Sequence, residues 1–154
     1  MLILPGSNAL SVFRSQRLLS QLQAAAPAVA AVQARFVHFI DSSAPLAIED
    51  TERLTAMLTY GEPVPETLYE GTTVEFFVIP RLGTISPWAS KATDIAHNCG
   101  MAHVHRIERG VAYFIVSSQP LSQADRTAIA AVIHDRMTEN VLDSIDAAAG
   151  LFAH

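Results

Sequence analysis

Phe39-Ile40-Asp41-Ser42-Ser43-Ala44-Pro45-Leu46 is written almost again as Phe114-Ile115-Val116-Ser117-Ser118-Gln119-Pro120-Leu121. Six of the eight positions are identical at a constant offset of 75, the difference between 114 and 39. Each copy runs from apolar residues into a Ser-Ser-x-Pro turn, the pattern of a strand end followed by a helix start. The same offset continues outward. It places Ser11 on Ser86, Phe13 on Trp88 and Ser15 on Ser90. Extended to the first strand without a gap, it places Pro5 on Pro80. A fixed period of this kind signals an internal duplication, here of a β-α-β-α unit of about 75 residues.

The local pattern supports such a unit. Leu2 to Leu4 reads as a strand and Pro5 to Asn8 as a turn. Ala9 to Ala25 has apolar residues near helical spacing, and Pro27 stops it. Val29 to Ile40 reads as a strand, and Glu49 to Tyr60 as a helix ended by Gly61. The second unit repeats the order. Val74 to Ile79 is a strand and Trp88 to Asn98 a helix, with Gly100 where a C-terminal cap prefers glycine. Val104 to Val116 is a strand and Ser122 to Leu142 a long helix. The expected fold is α/β (α+β), a two-layer sandwich with pseudo-two-fold symmetry and four helices on one face. Repeat 1 covers about 1–61, a Pro-containing linker 62–72, repeat 2 about 73–142, and a tail 143–154 leads onward.

Composition narrows the class of function. Half of the 154 residues are hydrophobic and 16% are charged, which fits a folded core. A net charge of −5 argues against a nucleic-acid or membrane-surface binder. No stretch approaches the roughly 20 apolar residues of a membrane span, and the start does not read as a signal peptide. One cysteine, Cys99, suits a reducing cytoplasm.

The chemistry-bearing residues gather in the second unit. Ser86 is a good N-cap, and Pro87 stands at the favoured first helical position. Such a helix start, with Gly83, Thr84 and Ser86 before it, offers free backbone N–H groups to an anion. Lys91 is the only lysine in the chain. From Phe76 to Ile115, Arg81, Lys91, Arg106 and Arg109 stand against Asp94 and Glu108, a balance of +2, whereas the remainder carries −7. The plainer alternative is an ordinary cap on a solvated face, with Glu108 paired to Arg106 or Arg109. His103 and His105 are two apart on the expected strand and would share a face, but a metal site needs further ligands. Cys99, at a helix end, reads as a buried structural thiol rather than a nucleophile. No phosphate-binding loop, Rossmann fingerprint or triad signature occurs, so no catalytic or metal residue is assigned.

The run from Pro80 through Arg81, Gly83, Ser86, Trp88, Lys91 and Asp94 to Gly100 closely resembles a segment of the large single-chain phosphoribosylformylglycinamidine synthases. Arg106 to Tyr113, His134 to Glu139, Phe36 to Phe39 and Leu151 to His154 extend the resemblance over essentially the whole chain. Leu82 and Ala89 depart from it in detail. In that family the N-terminal domain is similar to two copies of a small dimerising subunit. The resemblance implies a domain that precedes a synthetase region and a glutaminase region of the same polypeptide. The whole enzyme would convert formylglycinamide ribonucleotide, ATP and glutamine to the amidine, with ATP and magnesium bound outside this chain. It further implies that the loop bearing Arg81, Thr84, Ser86, Ser90, Lys91 and Asp94 faces the substrate. Two other readings compete: a standalone binding or regulatory module, and a small hydrolase using His97 or Cys99.

Overall fold

The computed structural model describes residues 2–59, 72–80, 86–135 and 137–142. The expected linker at 62–71, the tail at 143–154, and Arg81 and Thr84 lie outside them. The described elements run β1 (Leu2–Asn8), α1 (Val12–Ala25), β2 (Val29–Ser42), α2 (Ile48–Leu58), β3 (Thr72–Pro80), α3 (Pro87–Asn98), β4 (Val104–Ser117), α4 (Gln123–Ile133) and β5 (Glu139–Leu142). The strands form one sheet in the order β1-β2-β4-β3-β5. Every pairing is antiparallel. The fold is therefore α+β rather than α/β.

The two long central strands decide the architecture. β2 and β4 have 14 residues each and pair over nearly their whole length, Val32 with Ile115 and Ile40 with Ile107. Alternation puts Val32 and Ile40 of β2 on the same face as Ile107 and Ile115 of β4. That face carries the helices. At one end, Leu22 of α1 and Ile129 and Ile133 of α4 pack on Val32, Phe76, Val78 and Ile115. At the other, Leu54 and Leu58 of α2 and Ala92 and Ala96 of α3 pack on Ile40 and Ile107. The opposite face has its own apolar cluster of Val37, Phe39, Phe77, Ile79 and Ala112.

The offset of 75 meets the element bounds closely. It carries Val29–Ser42 onto Val104–Ser117 and Ile48–Leu58 onto Gln123–Ile133. It also exchanges the pair Arg35–Ala112 with the pair Val37–Gly110, and Phe36–Val111 is its own image. Ser11 and Ser86 cap α1 and α3 in the same way, each accepting from the backbone N–H three residues on.

The first strands do not obey that offset. Pro5 pairs with Val37, and the residue in the matching place on β4, Ala112, pairs with Phe77. Pro5 thus corresponds to Phe77 rather than Pro80, and the gap-free alignment of the first strand is corrected to an offset of 72. The difference lies in the connection: residues 9–11 join β1 to α1, whereas residues 81–86 join β3 to α3. The second connection, in the stretch that carries Gly83, Thr84 and Ser86, is three residues longer.

The last helix is also shorter than expected. α4 begins with a Ser122–Asp125 capping box and ends at Ile133. The chain then turns at Asp135, whose backbone N–H donates to Glu139 Oε1 and whose carboxylate accepts from the Met137 N–H. Glu139–Leu142 then pairs with β3 as an edge strand, Val141 beside Val78. The open edge of β3 offers a ladder of backbone groups, which outweighs the helical propensity of this segment.

Candidate functional site

The helix start singled out in the sequence is held by β4. Ser86 caps α3 by accepting from Ala89 N–H at 3.1 Å, and Pro87 occupies the first turn. The Ser86 hydroxyl also donates to Glu108 Oε1 at 2.7 Å. Deeper in the helix, Thr93 Oγ1 donates to the Ala89 carbonyl at 2.7 Å and accepts from Ile107 N–H at 3.0 Å. This satisfies a donor on β4 beyond the last residue that β3 pairs, Val111 opposite Val78.

Glu108 is fully buried. Its other oxygen accepts from Arg106 Nη2 at 2.7 Å, a pair that is itself largely enclosed. The Glu108–Arg106 pairing foreseen as the plain alternative exists, but not on a solvated face. On the helix side, Arg109 lies between two rings, its guanidinium carbon 4.5 Å from the Phe36 centroid and 4.7 Å from that of Trp88. Trp88 in turn stacks on His38 at 5.6 Å. His38 and Arg109 are cross-strand partners. Burial, above all, pushes the His38 pKa from 6.5 to about 4; Arg109 adds to the fall, and a hydrogen bond to the Leu4 backbone opposes it.

Beyond this anchored base, Ser90, Lys91 and Asp94 are exposed on α3. They sit at i, i+1 and i+4, so they share one side of the helix. Of the six expected site residues, four are described. Ser86 faces inward to β4, and the other three face outward.

Two expectations about neighbouring residues are corrected. Cys99 is exposed, not buried. The chain leaves the helix at Cys99, Gly100 adopts φ +88°, and Met101 fills the core position instead. His103 precedes β4 and does not form a strand pair with His105; it contacts Asp50 Oδ2 at 3.4 Å, while His105 is exposed. His97 Nε2 lies 2.6 Å from the Val104 carbonyl. Among the described residues no cluster of three or more His, Cys, Asp or Glu is arranged to hold a metal. No described helix is long and apolar enough to cross a membrane.

Sequence reasoning missed the roles of Thr93, Trp88 and His38. One signal was present: Arg106, Glu108 and Arg109 interrupt a largely apolar 14-residue strand. Charges placed mid-strand beside a helix start call for a partner on that helix.

Fold and site define an antiparallel α+β domain that presents one capped helix start, anchored from beneath by a buried ion pair and a cation–π stack. This chain belongs to the family described as formylglycinamide ribonucleotide amidotransferase N-terminal, whose sequence model matches residues 35–152. The match takes in β2 from Arg35 onward, both anchoring residues of β4 and all of α3. The chain is thus a domain of an amidotransferase of purine biosynthesis.

Proposed function

We propose that this domain serves the ligase reaction of the complete enzyme by presenting the start of α3 to formylglycinamide ribonucleotide. In that reaction ATP and glutamine drive conversion of the substrate to formylglycinamidine ribonucleotide in the cytoplasm. ATP and magnesium are held by the synthetase region, outside this chain. The domain packs on that region and helps couple it to the glutaminase, so that ammonia is delivered rather than lost. Arg81, Thr84, Ser90, Lys91 and Asp94 form the substrate-facing set, held by Ser86, whose hydroxyl turns inward to Glu108, and no residue of this chain is catalytic. The domain descends from duplication of a β-α-β-α unit. The shared bounds of β2 with β4 and of α2 with α4 support that descent.

One observation carries the reading. The chain's only lysine is exposed near the capped start of a helix that is tied to the sheet underneath. A cation there suits an anionic substrate group and adds nothing to the core. The β3–α3 connection that leads into this helix is three residues longer than the β1–α1 connection.

Paired measurements test the proposal. Removing an exposed charge changes stability by less than about 0.5 kcal/mol. Losing a charge-assisted bond to bound substrate costs about 1.5–3 kcal/mol, roughly ten- to a hundred-fold in kcat/KM. Lys91→Ala should therefore leave the melting temperature of the domain nearly unchanged, and we expect the same of Arg81→Ala. In the complete enzyme they should lower kcat/KM for formylglycinamide ribonucleotide. Early melting with normal turnover would make this helix start a structural element only.

A further inference from the structure

We propose that Glu108 and Arg109 are positioning residues for the amidotransferase reaction, a step that rests on the substrate-facing reading of the α3 start. They act on that helix start from below and touch no substrate. Glu108 holds the Ser86 hydroxyl at 2.7 Å and is itself held by Arg106 at 2.7 Å. Arg109 supports Trp88, two residues further on, against Phe36. Together they fix the axial position and the rotation of the first turn, and so the direction in which Ser90 and Lys91 project.

Comparison of the two halves argues that this clamp is not needed to form a helix there. α1 starts from an equivalent cap, with Ser11 accepting from Arg14 N–H. At the offset of 75, Glu108 is replaced by Gln33, Arg106 by Ala31, and Arg109 by Ala34. Trp88 is replaced by Phe13, which is 72% exposed. The same sheet therefore carries a capped helix at α1 without an ion pair or a ring stack at these positions. A buried carboxylate–guanidinium pair is also a poor source of stability, because desolvation of both charges offsets their attraction. What such a pair does supply is geometry, with one oxygen and one hydroxyl held in a single arrangement. The clamp occurs in the half that carries the sole lysine and the longer connection.

The test uses the complete amidotransferase with Lys91→Ala, Ser86→Ala, Glu108→Ala, Glu108→Gln, Arg109→Lys and the double variant Ser86→Ala/Glu108→Ala. Thermal melts accompany kcat and KM for formylglycinamide ribonucleotide. A misplacement of about 1 Å lowers rates by up to about a hundred-fold, so Glu108→Ala should lose ten- to a hundred-fold in kcat/KM. Glu108→Gln retains an acceptor for the Ser86 hydroxyl and should recover most of it. The double variant should be no worse than the worse single change, the non-additivity of residues acting as one unit. Normal turnover by Glu108→Ala beside an impaired Lys91→Ala would overturn the clamp and leave the functional reading standing. Normal turnover by both would overturn the two together. Should Glu108→Ala fail to fold, Arg109→Lys decides the matter. It keeps the charge and loses the planar stack, so wild-type kinetics from it would refute the positioning role.

Discussion

Two polar side chains, His38 buried and Ser86 partly buried, set the chemistry at the scale of single residues. His38 is fully buried on the helix face under Trp88, and its pKa is about 4. An unfolded histidine titrates near 6.5, so between about 4 and 6.5 the unfolded chain binds the extra proton. Stability from keeping this ring neutral is present above pH 6.5 and is lost as pH falls toward 4. The full loss is on the order of 3 kcal/mol. Urea melts from pH 7 to pH 4 should show this decline, and His38→Phe should flatten it. An unchanged slope in that variant would assign the acid sensitivity to other groups. Ser86 behaves differently, because its hydroxyl both caps α3 and donates to Glu108. Ser86→Ala should cost about 1 kcal/mol for the cap and about 1–3 kcal/mol more for the carboxylate left short of a donor. A melt indistinguishable from wild type would mean that neither bond carries weight. The cap was legible from Ser86-Pro87 in the sequence. The donation to Glu108 was not, since it joins residues 22 apart and depends on how α3 crosses β4.

Among the elements, β4 is the central organiser, because it pairs with both β2 and β3 and lies under α3. Its glycine, Gly110, marks a close approach to β3. A Cβ on Gly110 would stand 2.8 Å from the Val78 carbonyl oxygen and 3.1 Å from both Ile79 and Phe39. The backbone oxygen cannot swing aside as a side chain would, so Gly110→Ala should destabilise by about 1–3 kcal/mol. Calorimetry of the domain checks this, and a stabilised variant would show that the β3–β4 spacing is loose there. Element order was readable because hydrophobic period and Ser-Pro turns agree over most of the chain. The exceptions have physical causes. Residues 134–142 contain no glycine or proline to end a helix, and four-residue β5 is too short to show alternation. Its strand character comes from the edge of β3, which no local pattern reveals. The offset of the first strand was misread because Pro5 and Pro80 coincide by residue type, whereas hydrogen-bond register aligns Pro5 with Phe77.

For the molecule as a whole, the repeated Ser-Ser-x-Pro turn led to the sheet, and the long run around Ser86 led to the family. The family match bears out that resemblance over residues 35–152. We propose that this domain supports the ligase step through the start of α3 without contributing a catalytic residue. Supplying ammonia directly in place of glutamine isolates that step from glutaminase chemistry. We would measure kcat/KM for formylglycinamide ribonucleotide in the complete enzyme carrying Lys91→Ala, once with glutamine and once with ammonia. A loss of about ten- to a hundred-fold with both nitrogen sources is the predicted result. Wild-type turnover with ammonia, whatever happens with glutamine, would contradict the account.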